Sequence, residues 1–334
     1  MSIRTFILYS SSLGLVSSFP SLSNSDSALA FTSRSSTEWS MPPHFTDIST
    51  VFNVTKFHDD QRNIQIVEQL PSNAQEHALD SQASAQDLVQ IFYPKGSINP
   101  KNKILGGTEF YASPIDISTA ENVTLSYSAL FEKDFQFTKG GKMPGLYGGH
   151  EDCSGGRSAH TCFSTRLMWR MKGAGELYLY APKRKQSPDL CSSPGSVCHS
   201  TYGMSIGRRS FHWTPGKWTE ISQTVKLNTP GRHDGSFTLE VNGDRVIERH
   251  DLFYRDVGQE SARRRREDQH LPALEDFISD ESEDGTLNDD QELPSDVFVV
   301  KPRAPPASGA DPVGFSGLFF RYDTQIAVVN CAYQ

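Results

Sequence analysis

Lys142 sits in the middle of FTKGGKMPGLYGG, residues 137–149, a stretch with five glycines. Folding alone gives a chain little reason to surround a cation this way, because each glycine raises the entropic cost of ordering the backbone. Two further segments carry polar residues at strand spacing. In CFSTRLMWR, residues 162–170, Ser164 and Arg166 are two apart; in ELYLY, residues 176–180, so are Tyr178 and Tyr180. Side chains on a strand alternate between its two faces. Phe163, Thr165, Leu167 and Trp169 therefore form a mostly apolar core face, and Leu177 and Leu179 do the same on the second segment. Only Met171–Gly175, with two glycines, separates the segments, which is a hairpin length. Pairing puts Ser164, Arg166, Tyr178 and Tyr180 on one polar patch.

A lysine, an arginine, two tyrosines and a hydroxyl suit one reaction class, β-elimination on a uronic acid polymer. The proton on C5, next to the carboxylate, is very weakly acidic. Cations and hydrogen bonds on the carboxylate stabilise the enolate-like charge that develops when it leaves. Lys142 and Arg166 are the candidates for that role. A base then takes the proton and an acid protonates the departing glycosidic oxygen. Tyrosine serves in either role when neighbouring cations lower its pKa from about 10. A glycine-rich loop lets the backbone approach a bulky sugar chain.

Each residue alone has a plainer explanation. Strand tyrosines often just cover half-buried surface, and an arginine beside Glu176 often just makes a cross-strand ion pair. The set as a whole points to chemistry. It also suits a lectin-like module that holds an acidic glycan without cutting it. Hydrolysis ranks third, since it needs two carboxylates flanking the bond. Glu176 shares the tyrosine face, and Glu151, Asp152 and Glu240 lie nearby in sequence, but no two pair on the proposed surface. His150, His160 and His212 match no common ligand spacing, so no metal and no other cofactor is expected.

The elements that must position these residues are strands. Short runs rich in Phe, Tyr, Val and Thr recur between turn residues, and 25 Gly and 19 Pro accompany them. The expected fold is all-β, an antiparallel β-jelly roll or β-sandwich with a disordered late insertion. Asn242-Gly243-Asp244 marks a tight turn between two of its strands. Residues 1–40 are expected to be a signal peptide and Ser-rich linker, with Ala28-Leu29-Ala30 as a cleavage candidate. Residues 41–334 are expected to form the folded domain, interrupted by an acidic and Pro-rich insert at 258–312. Between Gly258 and Val297 stand 13 acidic residues against four arginines, a local balance of −9 that leaves the rest of the chain at +1 of its total of −8. The folded body is therefore not averse to anionic partners. Arg263–Arg266 reads as a solvated charge run, and no nucleic-acid partner is expected.

Five cysteines fall into two close pairs and a single Cys331 near the end. Cys153–Cys162 and Cys191–Cys198 are the favoured disulfides, which places the chain in an oxidising, extracellular setting. The sequons at Asn53 and Asn122 agree with secretion. No apolar run reaches the roughly 18 residues that a spanning helix needs, so no membrane partner is expected. A monomer acting on an acidic polysaccharide is the resulting picture.

In order along the chain, GGKMPGLYGG, CSGG, CFSTRLMWR and GELYLYAP resemble polysaccharide lyase family 14, which includes alginate and glucuronan lyases. The resemblance is specific over about residues 131–182 and looser to about 250. It implies a β-jelly roll and a shared cleft whose active residues fall here on Lys142, Ser164, Arg166, Tyr178 and Tyr180. It also implies that the tyrosines supply base and acid catalysis. The chain departs from the pattern at the 258–312 insert and after GFSGLFF, where it runs RYDTQIAVVNCAYQ. That ending implies a sheet short of part of its last strands. Alginate, glucuronan and glucuronate-bearing cell-wall chains all offer the required carboxylate.

Overall fold

Residues 122–130, NVTLSYSAL, bury Val123, Leu125, Tyr127 and Ala129 and turn Thr124, Ser126 and Ser128 outward. That is the two-residue period of an antiparallel strand covered on one face. The same pattern recurs throughout the computed structural model, which describes residues 38–58, 61–68, 87–94, 97, 104, 106–151, 153, 159–198, 202–258, 313–322 and 327–333. The first strands are β1 (Glu38–Ser40), β2 (Val54–Phe57), β3 (Ile64–Val67), β4 (Leu88–Ile91), β5 (Thr108–Ala112) and β6 (Asn122–Leu130). β7 (Gly141–Lys142), β8 (Gly145–Gly148), β9 (Phe163–Trp169) and β10 (Ala174–Tyr180) follow. Then come β11 (Val197–Cys198), β12 (Met204–His212), β13 (Trp218–Lys226), β14 (Gly235–Val241) and β15 (Asp244–Leu252). β16 (Phe315–Tyr322) and β17 (Ala327–Tyr333) complete the order.

Two antiparallel sheets stack as a jelly roll. One has the order β1-β17-β6-β13-β14-β15; the other runs β11-β12-β10-β9-β8-β16-β5-β2, with β7 also paired to β9, and β3 and β4 pair separately. The core lies between the sheets. Phe163, Leu167 and Trp169 of β9 and Leu177 and Leu179 of β10 join Val225, Phe237 and Leu239 of the opposite sheet in one buried cluster. Each such fully buried side chain contributes about 1.5–3 kcal/mol over its exposed form. A polar bridge crosses this core. Thr165 donates to the Gln223 amide oxygen at 3.0 Å, and the Gln223 amide nitrogen donates to the Pro144 carbonyl at 3.1 Å. The opposite sheet thereby holds the backbone two residues from Lys142. The turn between β14 and β15 is Asn242-Gly243, with φ of 53° and 86°, the left-handed pair of a type I′ hairpin.

Three expectations change. FTKGGKMPGLYGG is not one continuous loop: within it Gly141–Lys142 and Gly145–Gly148 are strands hydrogen-bonded to β9. A Cβ at Gly145 would lie 2.2 Å from the Thr165 carbonyl oxygen, and one at Gly148 would lie 2.2 Å from the Phe163 ring. These glycines let strands pack closely. The segment from Phe315 onward does supply strands to both sheets. β16 lies between β8 and β5, and β17 lies between β1 and β6 with its residues in continuous register from Ala327 to Tyr333. The sheet also begins earlier than residue 41, because Glu38–Ser40 pairs with β17. Residues 1–37 and 259–312, covering the expected signal, linker and insert, lie outside the described residues, and so do Asp152 and Arg263–Arg266.

Candidate active site

The site face is the side of the nine-stranded sheet turned away from the core. β9 and β10 pair with Tyr178 opposite Arg166 and Tyr180 opposite Ser164. On the other flank of β9, Tyr147 stands opposite Ser164, and Lys142 stands opposite Met168. Directly opposed residues in an antiparallel pair point to the same side. The structure therefore brings Lys142, Ser164, Arg166, Tyr178 and Tyr180 onto one face. The hairpin that sets this register turns through Met171–Gly173, where Lys172 and Gly173 have φ of 59° and 76°. A Cβ at Gly173 would meet the Trp213 carbonyl oxygen at 2.4 Å, so only glycine fits there.

Arg166 is the most constrained group of the set. Its Nε donates to Ser164 Oγ at 2.8 Å and its terminal nitrogen donates to the Cys153 carbonyl at 3.1 Å. Its guanidinium lies 3.6 Å from the centre of the Phe319 ring and 4.8 Å from that of Tyr180. Only 3% of the residue is exposed. Every one of these partners is neutral, and among the described residues no carboxylate pairs with Arg166. A buried cation held by a hydroxyl, a carbonyl and two rings is costly and is set to take an anion. Lys142, equally buried, lies one pair of residues further along the face, about 7 Å by strand geometry.

The tyrosine rings are packed edge to face, 5.4 Å apart. Tyr180 is buried against Cys153, Ala159 and Cys162, with Tyr178 beside it. A Cβ at Gly203 would come within 2.6 Å of the Tyr180 ring and 3.0 Å of the Tyr178 ring, so this glycine makes room for both. The Cys153–Cys162 disulfide joins the residue whose carbonyl holds Arg166 to the residue that precedes β9. Replacing both cysteines by alanine is expected to lower kcat about 10- to 100-fold, the worth of one hydrogen bond to a charged group. The Cys191–Cys198 bridge supplies the control. Its double alanine variant should lose a similar ~2–4 kcal/mol of stability while kcat stays within about twofold. Equal kcat losses in the two variants would contradict the link to Arg166.

Tyr147, Phe319, Gly203 and the Cys153 carbonyl also belong to this face and are not among the residues expected from the sequence. Tyr147 was visible inside the glycine stretch; the others approach Arg166 or the tyrosines from elsewhere in the chain. Tyr147 packs edge-on against Tyr111 at 4.8 Å. Burial, with the Glu151 charge second and against an opposing Thr55 hydrogen bond, pushes its phenol up to about 12. Fully buried Tyr254 moves the same way, for the same first reason. A neutral phenol favoured by the fold stabilises it below the unfolded pKa, and that contribution is lost as pH rises through the folded value. Stability to denaturant should accordingly fall from about pH 10 toward pH 12. Tyr147→Phe should flatten part of that fall; a profile identical to wild type would contradict the assignment.

Glu176 is fully buried and fully engaged. Arg170 donates to one carboxylate oxygen at 2.8 Å, and Arg208 and Ser205 donate to the other at 2.8 and 2.6 Å. This carboxylate is clamped between two guanidiniums and a hydroxyl, and no second carboxylate faces it on this surface among the described residues. Glu151 instead bonds Thr55 and pairs with Lys56, and Glu240 pairs with Arg245. No group of three or more His, Cys, Asp or Glu among the described residues is placed to hold a metal.

An antiparallel jelly roll with a cationic, tyrosine-lined face is the architecture of a polysaccharide lyase. The family model described as Polysaccharide lyase 14 matches residues 81–264, and the chain belongs to that family. Among solved structures, the marine PL-14 alginate lyase from Aplysia kurodai is 25% identical. The match covers 89% of this chain and 96% of that one, with a TM-score of 0.55. An alginate lyase from Chlorella virus is 18% identical, over 85% of this chain and 94% of that one, with a TM-score of 0.53, and shows the shared fold. No curated protein matches the chain.

Proposed function

We propose that the protein cleaves a uronic-acid polysaccharide of the alginate or glucuronan type by β-elimination. The buried Arg166 guanidinium, held among the described residues by neutral groups, Ser164, Phe319 and Tyr180, carries this reading. A substrate carboxylate placed there gains a charge-assisted bidentate partner, and Lys142 on the same face adds a second cation. As the C5–H bond breaks, its electrons form the C4–C5 double bond and the C4–O bond to the leaving sugar breaks. One tyrosine of the Tyr178–Tyr180 pair, as the phenolate, takes the C5 proton and becomes a phenol; the phenol of the other gives its proton to the leaving oxygen, which departs as a hydroxyl, and is left as a phenolate. The alginate lyase from Aplysia kurodai, similar over nearly its whole length, supports this substrate class. The reading takes residues 38–334, with the 258–312 insert, as one lyase domain acting as a monomer. Two disulfides support action outside the cell; among the described residues no helix is long and apolar enough to cross a membrane.

Ultraviolet absorbance during incubation with alginate, glucuronan and pectate tests the reading. A rise from the new conjugated double bond on alginate or glucuronan is expected. Tight binding without any rise would make the protein a lectin-like module instead.

A further inference from the structure

The arginines on Glu176 outnumber what one carboxylate needs. Glu176 is 0% exposed, and Ser205 with a single guanidinium would satisfy it; instead Arg170 and Arg208 both converge on it, with side chains 25% and 32% exposed. The triad keeps a net positive charge at the surface. Arg208 spends its Nε on Glu176 and on Ser205 at 3.2 Å, and its two terminal nitrogens make no hydrogen bond among the described residues. Its approach is built by a bulge. The β10–β12 register shifts between Gly175 and Leu177, and Gly207 and Arg209 take φ of 63° and 70°. Bulges re-aim side chains in this way beside functional sites.

The triad is continuous with the candidate site. Glu176 stands in one cross-strand row with Met168 and Lys142. The Arg170 guanidinium lies 5.4 Å from the centre of the Tyr178 ring. Moving from Arg166 across Tyr178 to Arg170 and Arg208 therefore follows a line of cations along one face. A polyuronate carries one carboxylate on every sugar, so a chain seated on Arg166 must place further carboxylates along that line.

We propose that Arg170 and Arg208, gathered by Glu176, form a second carboxylate-binding subsite for a sugar flanking the one that reacts. The inference rests on the polyuronate lyase reading. The subsite binds ground state and transition state alike, because it is remote from the bond that breaks. Its loss therefore raises KM and leaves kcat in place. It also sets a preference for longer chains.

The test measures kcat and KM for wild type, Arg208→Gln and Arg208→Lys on the polymer and on the shortest oligomer that is cleaved, with thermal melts of each variant. For Arg208→Gln, KM on the polymer should rise about 10- to 100-fold, the worth of a hydrogen bond to a charged group. The rise should be smaller on the shortest oligomer, and Arg208→Lys should recover part of the affinity. An unchanged KM on the polymer overturns the proposal, and so does a kcat loss that is equal at all chain lengths and tracks a lower melting temperature. Should wild type give no unsaturated product, the lyase reading fails separately. Calorimetric affinity for the polyuronate, wild type against Arg208→Gln, then decides the subsite: weaker binding supports it and equal binding overturns it.

Discussion

Tyr178→Phe and Tyr180→Phe should each fold like wild type and lose turnover by about 10²–10⁴-fold, the usual worth of a positioned acid or base. Each change removes one oxygen from a ring whose packing stays intact. The rings keep their edge-to-face contact at 5.4 Å, and Phe fills the space beside Gly203 as well as Tyr does. Melting temperature and substrate affinity should therefore change little while kcat collapses. Roles that act as a unit are not additive, so the double variant should be little worse than the poorer single one. Full activity in either variant would remove that tyrosine from the chemistry. A matching loss of stability and rate would make the pair structural.

Glu176→Leu should cause the largest loss of stability of any single change on this face. The carboxylate is fully buried and accepts from Arg170, just after β9, and from Arg208 of β12. Removing one partner of a buried ion group strands the others and costs about 3–5 kcal/mol. Leucine leaves two arginines converging on an apolar side chain, and Ser205 without its acceptor at 2.6 Å. For a chain of this size the melting temperature should drop by about 10 °C, at about 2–4 °C per kcal/mol. Glu176→Gln keeps an acceptor and should lose less. The rate separates this assignment from a hydrolytic one. A clamped structural carboxylate predicts that Glu176→Gln keeps most of its kcat, whereas a general acid would lose nearly all of it. Denaturant melts and initial rates on the same preparations decide between them.

Much of the site was legible because strand geometry is strict. Ser164 and Arg166, two apart, and Tyr178 and Tyr180, two apart, with a short connection between the segments, can share one face of a hairpin, and the observed register places them so. The two close cysteine pairs were legible for a similar reason, since short spacing limits their partners. The glycine stretch was misread because its strands have two and four residues, too short to show alternation. The reason for its glycines is the Thr165 carbonyl and the Phe163 ring, which only the tertiary packing brings near. Phe319 reaches Arg166 from a strand more than 150 residues away. The Cys153 acceptor is a backbone atom, which side-chain reasoning does not see. Arg208 finds Glu176 only through the bulge in β12, and no local pattern in the sequence marks that. The last strand was missed because RYDTQIAVVNCAYQ departs from the family pattern, although AVVNCAY is a competent strand on its own composition.

The central claim is elimination at a uronate held by Arg166. The most direct measurement is the mass spectrum of products formed in water enriched in heavy oxygen. Elimination takes no oxygen from solvent, so the cleaved chains should carry an unsaturated end, lighter by one water than a hydrolysis product, with no heavy oxygen beyond slow exchange at the reducing end. Saturated products carrying solvent oxygen from the moment of cleavage would contradict it, and would mean that the face built around Arg166, Tyr178 and Tyr180 performs hydrolysis.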